Sequence, residues 1–290
     1  MFSVLIANYN NGKYLQEAVN SVRRQSYHNW ELIIIDDCST DNSIDIYNGL
    51  KGDDRIHVFF NERNMGQGYT KHQCVIRAQG TICGFLDPDD ALAEDALQIM
   101  VEEHEKHPDA SLINSTRFDT DEHLNILSIC SYGCAIPSGH SFLSYRKGVT
   151  HFATFKKKFY EKTDGIDTFM LRAPDHDLYY KLEEVGTVFF VDKPLYYYRK
   201  NTGINLSLGD ENMIKAHSWD IYAMINACKR RGLSIENNAL KYVDVFVNYG
   251  INRGAGEVRL SKSYRLGKLL LHPVDAFLQL LSRSSGRKDR

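Results

Sequence analysis

Apolar positions along the first 115 residues follow two alternating rhythms. Short aliphatic or aromatic runs occur at Val4–Ile6, Glu31–Asp36, Ile56–Phe60, Ile82–Leu86 and Ala110–Asn114. Near-continuous runs of this kind suit strands buried on both faces of a parallel sheet. Between them, apolar residues recur at helical spacing: Leu15, Ala18, Val19 and Val22, then Ile44, Ile46 and Tyr47. A third helix is expected around residues 69–78, and a fourth carries Leu92, Leu97, Ile99 and Met100. Ser39-Thr40-Asp41-Asn42 supplies turn and N-cap chemistry ahead of the second helix. Repeated β-α units with short connections predict an α/β fold, a mostly parallel sheet with right-handed crossovers.

Residues 116–160 are less regular and rich in Ser, Gly and Tyr, which reads as loops and antiparallel strands at the sheet edge. Leu178, Leu182 and Val185 mark another helix, and Val188–Val191 and Leu195–Tyr198 read as two strands. Beyond Asn205 the signal is helical, notably over 212–230 and 236–249. The expected organisation is an α/β domain over residues 1–205 and a helical C-terminal extension over 206–290.

Composition narrows the class. The chain is 43% hydrophobic and 25% charged, which excludes disordered and collagen-like proteins. A formal charge of -2 leaves no overall nucleic-acid footprint. No uninterrupted apolar run approaches the 18 or so residues of a bilayer span, and Phe2–Ala7 lacks the basic leader of a signal peptide. The six cysteines form no paired CxxC array, and Cys130 and Cys134 have no second ligand pair nearby. They read as reduced thiols of a cytoplasmic protein.

The acids are placed informatively. Asp36-Asp37 ends one buried strand, and Asp87-Pro88-Asp89-Asp90 ends another. In open parallel sheets, ligands bind beyond the carboxyl ends of strands, near a switch in strand order. The bland alternative is that Asp37 or Ser39, and Asp89 or Asp90, merely cap the helices that follow. Asp87 and Asp89 flank one residue and offer hard oxygen ligands suited to Mg²⁺ or Mn²⁺ when phosphates complete the shell. Tyr9, after the first strand, offers either a stacking face for a base or a packing ring. Asp175 precedes the helix of Leu178 and Leu182, where it either caps that helix or projects toward a site as a base.

Several ordered motifs then carry a resemblance. Ser3-Val-Leu-Ile-Ala-Asn-Tyr-Asn-Asn11, Glu31-Leu-Ile-Ile-Ile-Asp-Asp-Cys-Ser-Thr-Asp-Asn42, Asn64-Met-Gly66, Ala78-Gln-Gly80, Phe85-Leu-Asp-Pro-Asp-Asp90, Gly165-Ile-Asp167, Asp175-His-Asp-Leu178 and Tyr197-Tyr-Arg199 follow in order. Over residues 2–200 this resembles family 2 of the inverting nucleotide-sugar glycosyltransferases. The resemblance implies a GT-A fold, a nucleotide-sugar donor (UDP-hexose or UDP-N-acetylhexosamine), a glycan or lipid-linked glycan acceptor, and Mn²⁺ or Mg²⁺. It further implies a role in bacterial surface polysaccharide or lipopolysaccharide synthesis. Carried over residue by residue, Ala7 and Tyr9 would line the base pocket. Asp37 would hold the nucleobase edge with help from Asp36, and Asn64, Gly66 and Lys71 would complete the donor side. Asp87 would approach the ribose and donor sugar, and Asp89 would ligate the metal. Asp175 would be the catalytic base, and Asp177 would support the fold or touch acceptor.

The chain departs from the family pattern in three places. Pro174 stands where the family often has Glu, Thr70-Lys71-His72 replaces Ala-Arg-Asn, and Lys200 or Asn201 replaces a common histidine. Two rivals remain at this stage. A metal-dependent nucleotidyltransferase would want a denser Gly-rich basic loop than Asn10-Asn11-Gly12-Lys13. A noncatalytic carbohydrate-binding module would use Tyr196, Tyr197 and Tyr198. From Arg253 to Arg290, nine basic and three acidic residues lie among Leu266, Leu269–Leu271, Phe277, Leu278, Leu280 and Leu281. That tail reads as a peripheral helix for an anionic membrane face or as a helix packed on the core, and its apolar faces leave a dimer open.

Overall fold

The computed structural model describes residues 1–145, 147–200 and 210–240. The chain divides into two compact units, Met1–Leu208 and Gly209–Arg290. In the first unit the β-α alternation produces β1 (Phe2–Asn8), α1 (Gly12–Arg23), β2 (Trp30–Asp36), α2 (Ser43–Leu50), β3 (Ile56–Phe60), α3 (Gln67–Arg77) and β4 (Ile82–Phe85). Strand β1 pairs in parallel with both β2 and β4, and β2 in parallel with β3. The chain therefore runs outward from β1 to β3, then returns to β1's other side. That reversal is the switch point at which a crevice opens beyond the strand ends. Every residue of β2 is buried, as its unbroken apolar run required.

The second half departs from the sequence reading. Ala91–Leu92 forms a two-residue strand, β5, rather than opening the next helix, which is α4 (Ala96–Lys106). The Leu92 N–H is satisfied by Ser21 Oγ at 3.1 Å, and both β5 residues pair with the distant Tyr196 and Tyr197. Strand β6 (Ala110–Thr120) runs well past the predicted Asn114 and pairs with the exposed β7 (Ile126–Ile129). A short helix α5 (Phe142–Tyr145) precedes β8 (Ala153–Lys156). Far from lying at an edge, β8 is wedged antiparallel between β4 and β6. Four residues are too few to display an alternation, and long-range pairing decides their place.

After α6 (Lys157–Tyr160) and α7 (Pro174–Glu183), a single strand β9 (Thr187–Arg199) replaces the two expected. Pro194 interrupts its hydropathy but is tolerated at a register shift opposite Thr116. Among the described residues the sheet order is β3-β2-β1-β4-β8-β6-β9-β5, with β7 beside β6.

In the second unit, α8 (Asp210–Arg230) and a π-helical turn (Glu236–Leu240) are described. The expected helix over 241–249 and the basic tail lie outside the described residues. No described helix is long and apolar enough to cross a membrane.

Candidate active site

The first two β-α turns are tied to each other. Asn8, buried at the end of β1, donates through Nδ2 to Tyr47 Oη at 2.8 Å and Ser43 Oγ at 3.0 Å. Asn10 N–H donates to Ser39 Oγ at 2.9 Å, while its Oδ1 accepts from Thr40 N–H at 2.7 Å. Gly12 N–H donates to Asp41 Oδ2 at 2.8 Å, and a Cβ at Gly12 would meet Asn42 Oδ1 at 2.3 Å. Only glycine permits that approach.

Asp36 belongs to this lashing. Its carboxylate is buried and accepts from Tyr47 Oη at 2.6 Å and Ser39 N–H at 2.7 Å. Burial and the adjacent Asp36 charge push the Tyr47 hydroxyl well above its ordinary pKa, so it stays a donor. Asp36 thus orients the turn that carries Asp37. The Asp37 carboxylate accepts from Asn61 Nδ2 at 2.7 Å and Met65 N–H at 2.8 Å on Oδ1, and from Gly66 N–H at 2.8 Å on Oδ2. Gly66 adopts φ 88°, and a Cβ there would meet Leu171 Cδ2 at 2.9 Å. Ala7 is half-buried, Tyr9 is 46% exposed, and Asn64 is exposed.

Simple capping accounts for none of these acids. Helix α2 begins at Ser43 and α4 at Ala96, well beyond Asp37 and Asp90. Asp90 is buried and accepts from Tyr196 Oη at 2.8 Å and Arg199 N–H at 2.8 Å. Tyr196 Oη also accepts from Asp87 N–H at 3.0 Å, so one hydroxyl holds both ends of the acidic loop. The buried Arg199 guanidinium donates to Asp89 O and to Glu17 Oε2, and stacks over Tyr14. The loop is braced from strands and helices far away in sequence.

Asp87 lies between two groups. Its Oδ1 is 3.3 Å from Lys71 Nζ, and its Oδ2 is 3.7 Å from His151 Nε2. Burial disfavours the Lys71 ammonium, but Asp87 and then Asp175 outweigh it, so Lys71 stays charged. Asp89 is pushed up to about 6 by burial and by the Asp87 charge. A buried carboxylate raised by a neighbouring carboxylate's charge forms with that neighbour a donor set that fits a divalent cation. Among the described residues no three His, Cys, Asp or Glu side chains converge to hold a metal without help. Asp89 and Asp87 are the residues that would hold such an ion, with phosphate oxygens from a bound ligand needed to complete its shell.

Asp175 is the second residue of α7, behind Pro174; Ala173, at φ 52°, takes the N-cap position without a side-chain bond. The capping reading of Asp175 is thereby corrected. Burial raises its pKa, but Lys71, His176 and His151 overcome that and hold it below the usual carboxylate value. Asp177 is instead buried and paired with Lys181 at 2.6 Å, while Lys181 Nζ donates to Gly165 O at 2.7 Å. Of its two expected roles, this geometry supports the fold. His72 faces Tyr160 Oη at 3.0 Å, and Lys200 faces Asp119 at 2.7 Å. Pattern reading gave no site role to His151, Tyr196 or Glu17; contacts with the acidic loop mark the first two, and the contact with Arg199 marks Glu17.

The mixed α/β sheet, with acids gathered beyond the ends of its parallel strands, is a GT-A fold. Residues 3–177 match Glycosyl transferase family 2, and the chain belongs to that family. The E. coli chondroitin synthase is 28% identical over 254 residues, covering 83% of this chain and 36% of that protein. TuaG of Bacillus subtilis, a glycosyltransferase named for teichuronic acid biosynthesis, is 42% identical over 103 residues, covering 35% of this chain and 41% of its own length. The chain thus spans about two fifths or less of these relatives.

The fold matches S. aureus TarS in complex with UDP-GlcNAc at TM-score 0.61 and 20% identity, over 78% of this chain and 66% of that one. It also matches the mannosyltransferase PcManGT from Pyrobaculum calidifontis, in complex with GDP-Man and Mn²⁺, at TM-score 0.54 and 14% identity, over 91% and 82%.

Proposed function

We propose that this enzyme transfers a hexosyl or N-acetylhexosaminyl group from a UDP-sugar to a hydroxyl of a glycan or lipid-linked glycan, with inversion, in surface polysaccharide synthesis. The observation that carries the mechanism is the Lys71 ammonium, 3.3 Å from Asp87 and acting electrostatically on Asp175. It links a donor-side carboxylate to a second one positioned to serve as base. Relatives named for chondroitin and teichuronic acid synthesis support the product class, and a neighbour's complex with UDP-GlcNAc supports the donor class.

In this reading Asp37 receives the imide edge of the base. Asp87 orients the donor sugar, and Asp89 holds the divalent ion. When bound, that ion supplies Lewis-acid stabilisation of the leaving diphosphate. Asp175, ionised at neutral pH, takes the proton from the acceptor hydroxyl as its oxygen attacks the anomeric carbon from the opposite side. One base and no protein nucleophile suffice, and a single displacement inverts the centre.

The two rival readings lose their support in the geometry. Lys13 is exposed and faces Glu122 at 3.4 Å rather than lining a phosphate cradle. Tyr196 is fully buried, Tyr197 stacks on Phe118, and Tyr198 lies beneath Arg117, so the three tyrosines form no sugar platform. The test is Asp175→Asn assayed by UDP release and product NMR. Turnover is expected to fall about a thousandfold with UDP affinity kept. A product of retained anomeric configuration would defeat the displacement mechanism.

A further inference from the structure

Strand alternation places Tyr196, Tyr198 and Lys200 on one side of β9 and its continuation, and Arg117 and Asp119 on the matching side of β6. Their contacts bear this out. The Arg117 guanidinium lies 3.9 Å over the Tyr198 ring, Arg117 Nε is 3.2 Å from Asp119 Oδ1, and Lys200 Nζ is 2.7 Å from Asp119 Oδ2. Arg117 Nη1 donates to Thr150 Oγ1 at 3.2 Å.

The ladder connects with the candidate site through His151. That imidazole lies tilted against Tyr196 at 4.9 Å and Tyr198 at 6.0 Å, and reaches within 3.7 Å of Asp87. Tyr198 is thus shared, with His151 on one contact and the Arg117 guanidinium on another, and links Arg117 to the residue beside Asp87.

Two cations share one carboxylate here. Asp119 is 10% exposed, whereas Arg117 is 21% and Lys200 38% exposed. Arg117 Nη2 has no protein partner among the described residues, and Lys200 uses one of its three donors. Ring stacking and the Asp119 bond fix the guanidinium plane, leaving its outer edge pre-organised for a second oxyanion.

We infer that Arg117 and Lys200 form a subsite for an anionic group on the acceptor, either the carboxylate of a uronosyl residue or a phosphate ester. The inference rests on the glycosyltransferase reading and adds the charge of its acceptor. Asp89 and Asp87 occupy the donor side of that reading, and Arg117 connects to Asp87 through Tyr198 and His151. Asp119 holds the two cations apart and in place, a positioning role.

The test is calorimetric titration of the full chain, with UDP and Mn²⁺ present, using three oligosaccharides that differ in one group. One ends in glucuronate, one is its carboxyl-reduced counterpart, and one carries a phosphate monoester. At least one anionic form is expected to bind about tenfold tighter than the neutral form, a preference that weakens as salt rises. Lys200→Gln, at the exposed rim, is expected to remove most of the preference, Arg117→Gln the rest, and Lys200→Arg to keep it.

Equal binding of all three saccharides, or binding of none, overturns the subsite. So does a preference that survives both glutamine substitutions. If the Lys200→Gln penalty follows UDP-glucuronate against UDP-glucose instead, the anion belongs to the donor and the acceptor assignment falls. UDP titration of the unsubstituted protein separates the two layers. Failure to bind UDP would sink the UDP-sugar reading on which the acceptor assignment rests, whereas UDP binding without anion preference removes only the subsite.

Discussion

Lys71 shows how one side chain sets the working range of another. Its ammonium helps to hold Asp175 below the ordinary carboxylate pKa despite burial. In Lys71→Met the acid limb of kcat against pH should therefore move upward, because protonation of Asp175 begins at a higher pH. A profile that stays in place while only the donor KM changes would confine Lys71 to donor binding. At Asp89, replacement by Ala is expected to abolish most turnover and to weaken manganese-dependent UDP binding, since the carboxylate that would hold the divalent ion is lost. Unchanged Mn²⁺ titration in the folded variant would refute that role. The placement of Asp37, Asp87, Asp89 and Asp175 at the ends of buried strands, or before an amphipathic helix, was legible in the sequence, whereas the roles proposed for them follow from the family resemblance. Lys71 was legible only as a retained positive charge. His151 and Tyr196 were not legible, because their meaning lies in contacts with residues 64 to 109 positions away.

Among the elements, β1 to β4 and α1 to α3 were readable, the strands from their apolar runs and the helices from their spacing. The central place of β8, the existence of β5 and the continuity of β9 were not. Each depends on pairing across the chain rather than on local propensity. Helix α7 makes the contrast testable. Its Asp177–Lys181 pair is buried and ties the helix to the Gly165 carbonyl. Removing one partner strands the other charge, so Lys181→Met should cost about 3 kcal/mol in a denaturant melt. A cost under about 1 kcal/mol would mean that Asp177 finds another partner or takes up a proton.

For the whole molecule, acid should act through buried imidazoles. Burial pushes His104 down to about 3, with its Nε2 against Thr154 Oγ1 at 3.0 Å on the neighbouring β8. Both the depressed folded value and the ordinary unfolded value near 6.5 give the sign. The unfolded chain binds the proton first, so stability is lost as pH falls from about 6.5 toward 3. His104→Gln should flatten that part of the melting-temperature profile, and a parallel profile would assign the loss elsewhere.

The brace on the acidic loop also has a meaning in time. Synthesis runs from the N-terminus, so a nascent chain completes Asp87–Asp90 long before Arg199, which must supply an N–H to Asp90 across 109 positions. Until β8 and β9 emerge, β4 presents an unpaired edge open to other strands, and the acids wait on an unanchored turn. A fragment ending near residue 150 would carry the recognisable motif yet neither a closed sheet nor a donor site. Chaperone dependence of the growing chain should accordingly end only once Arg199 has cleared the ribosome.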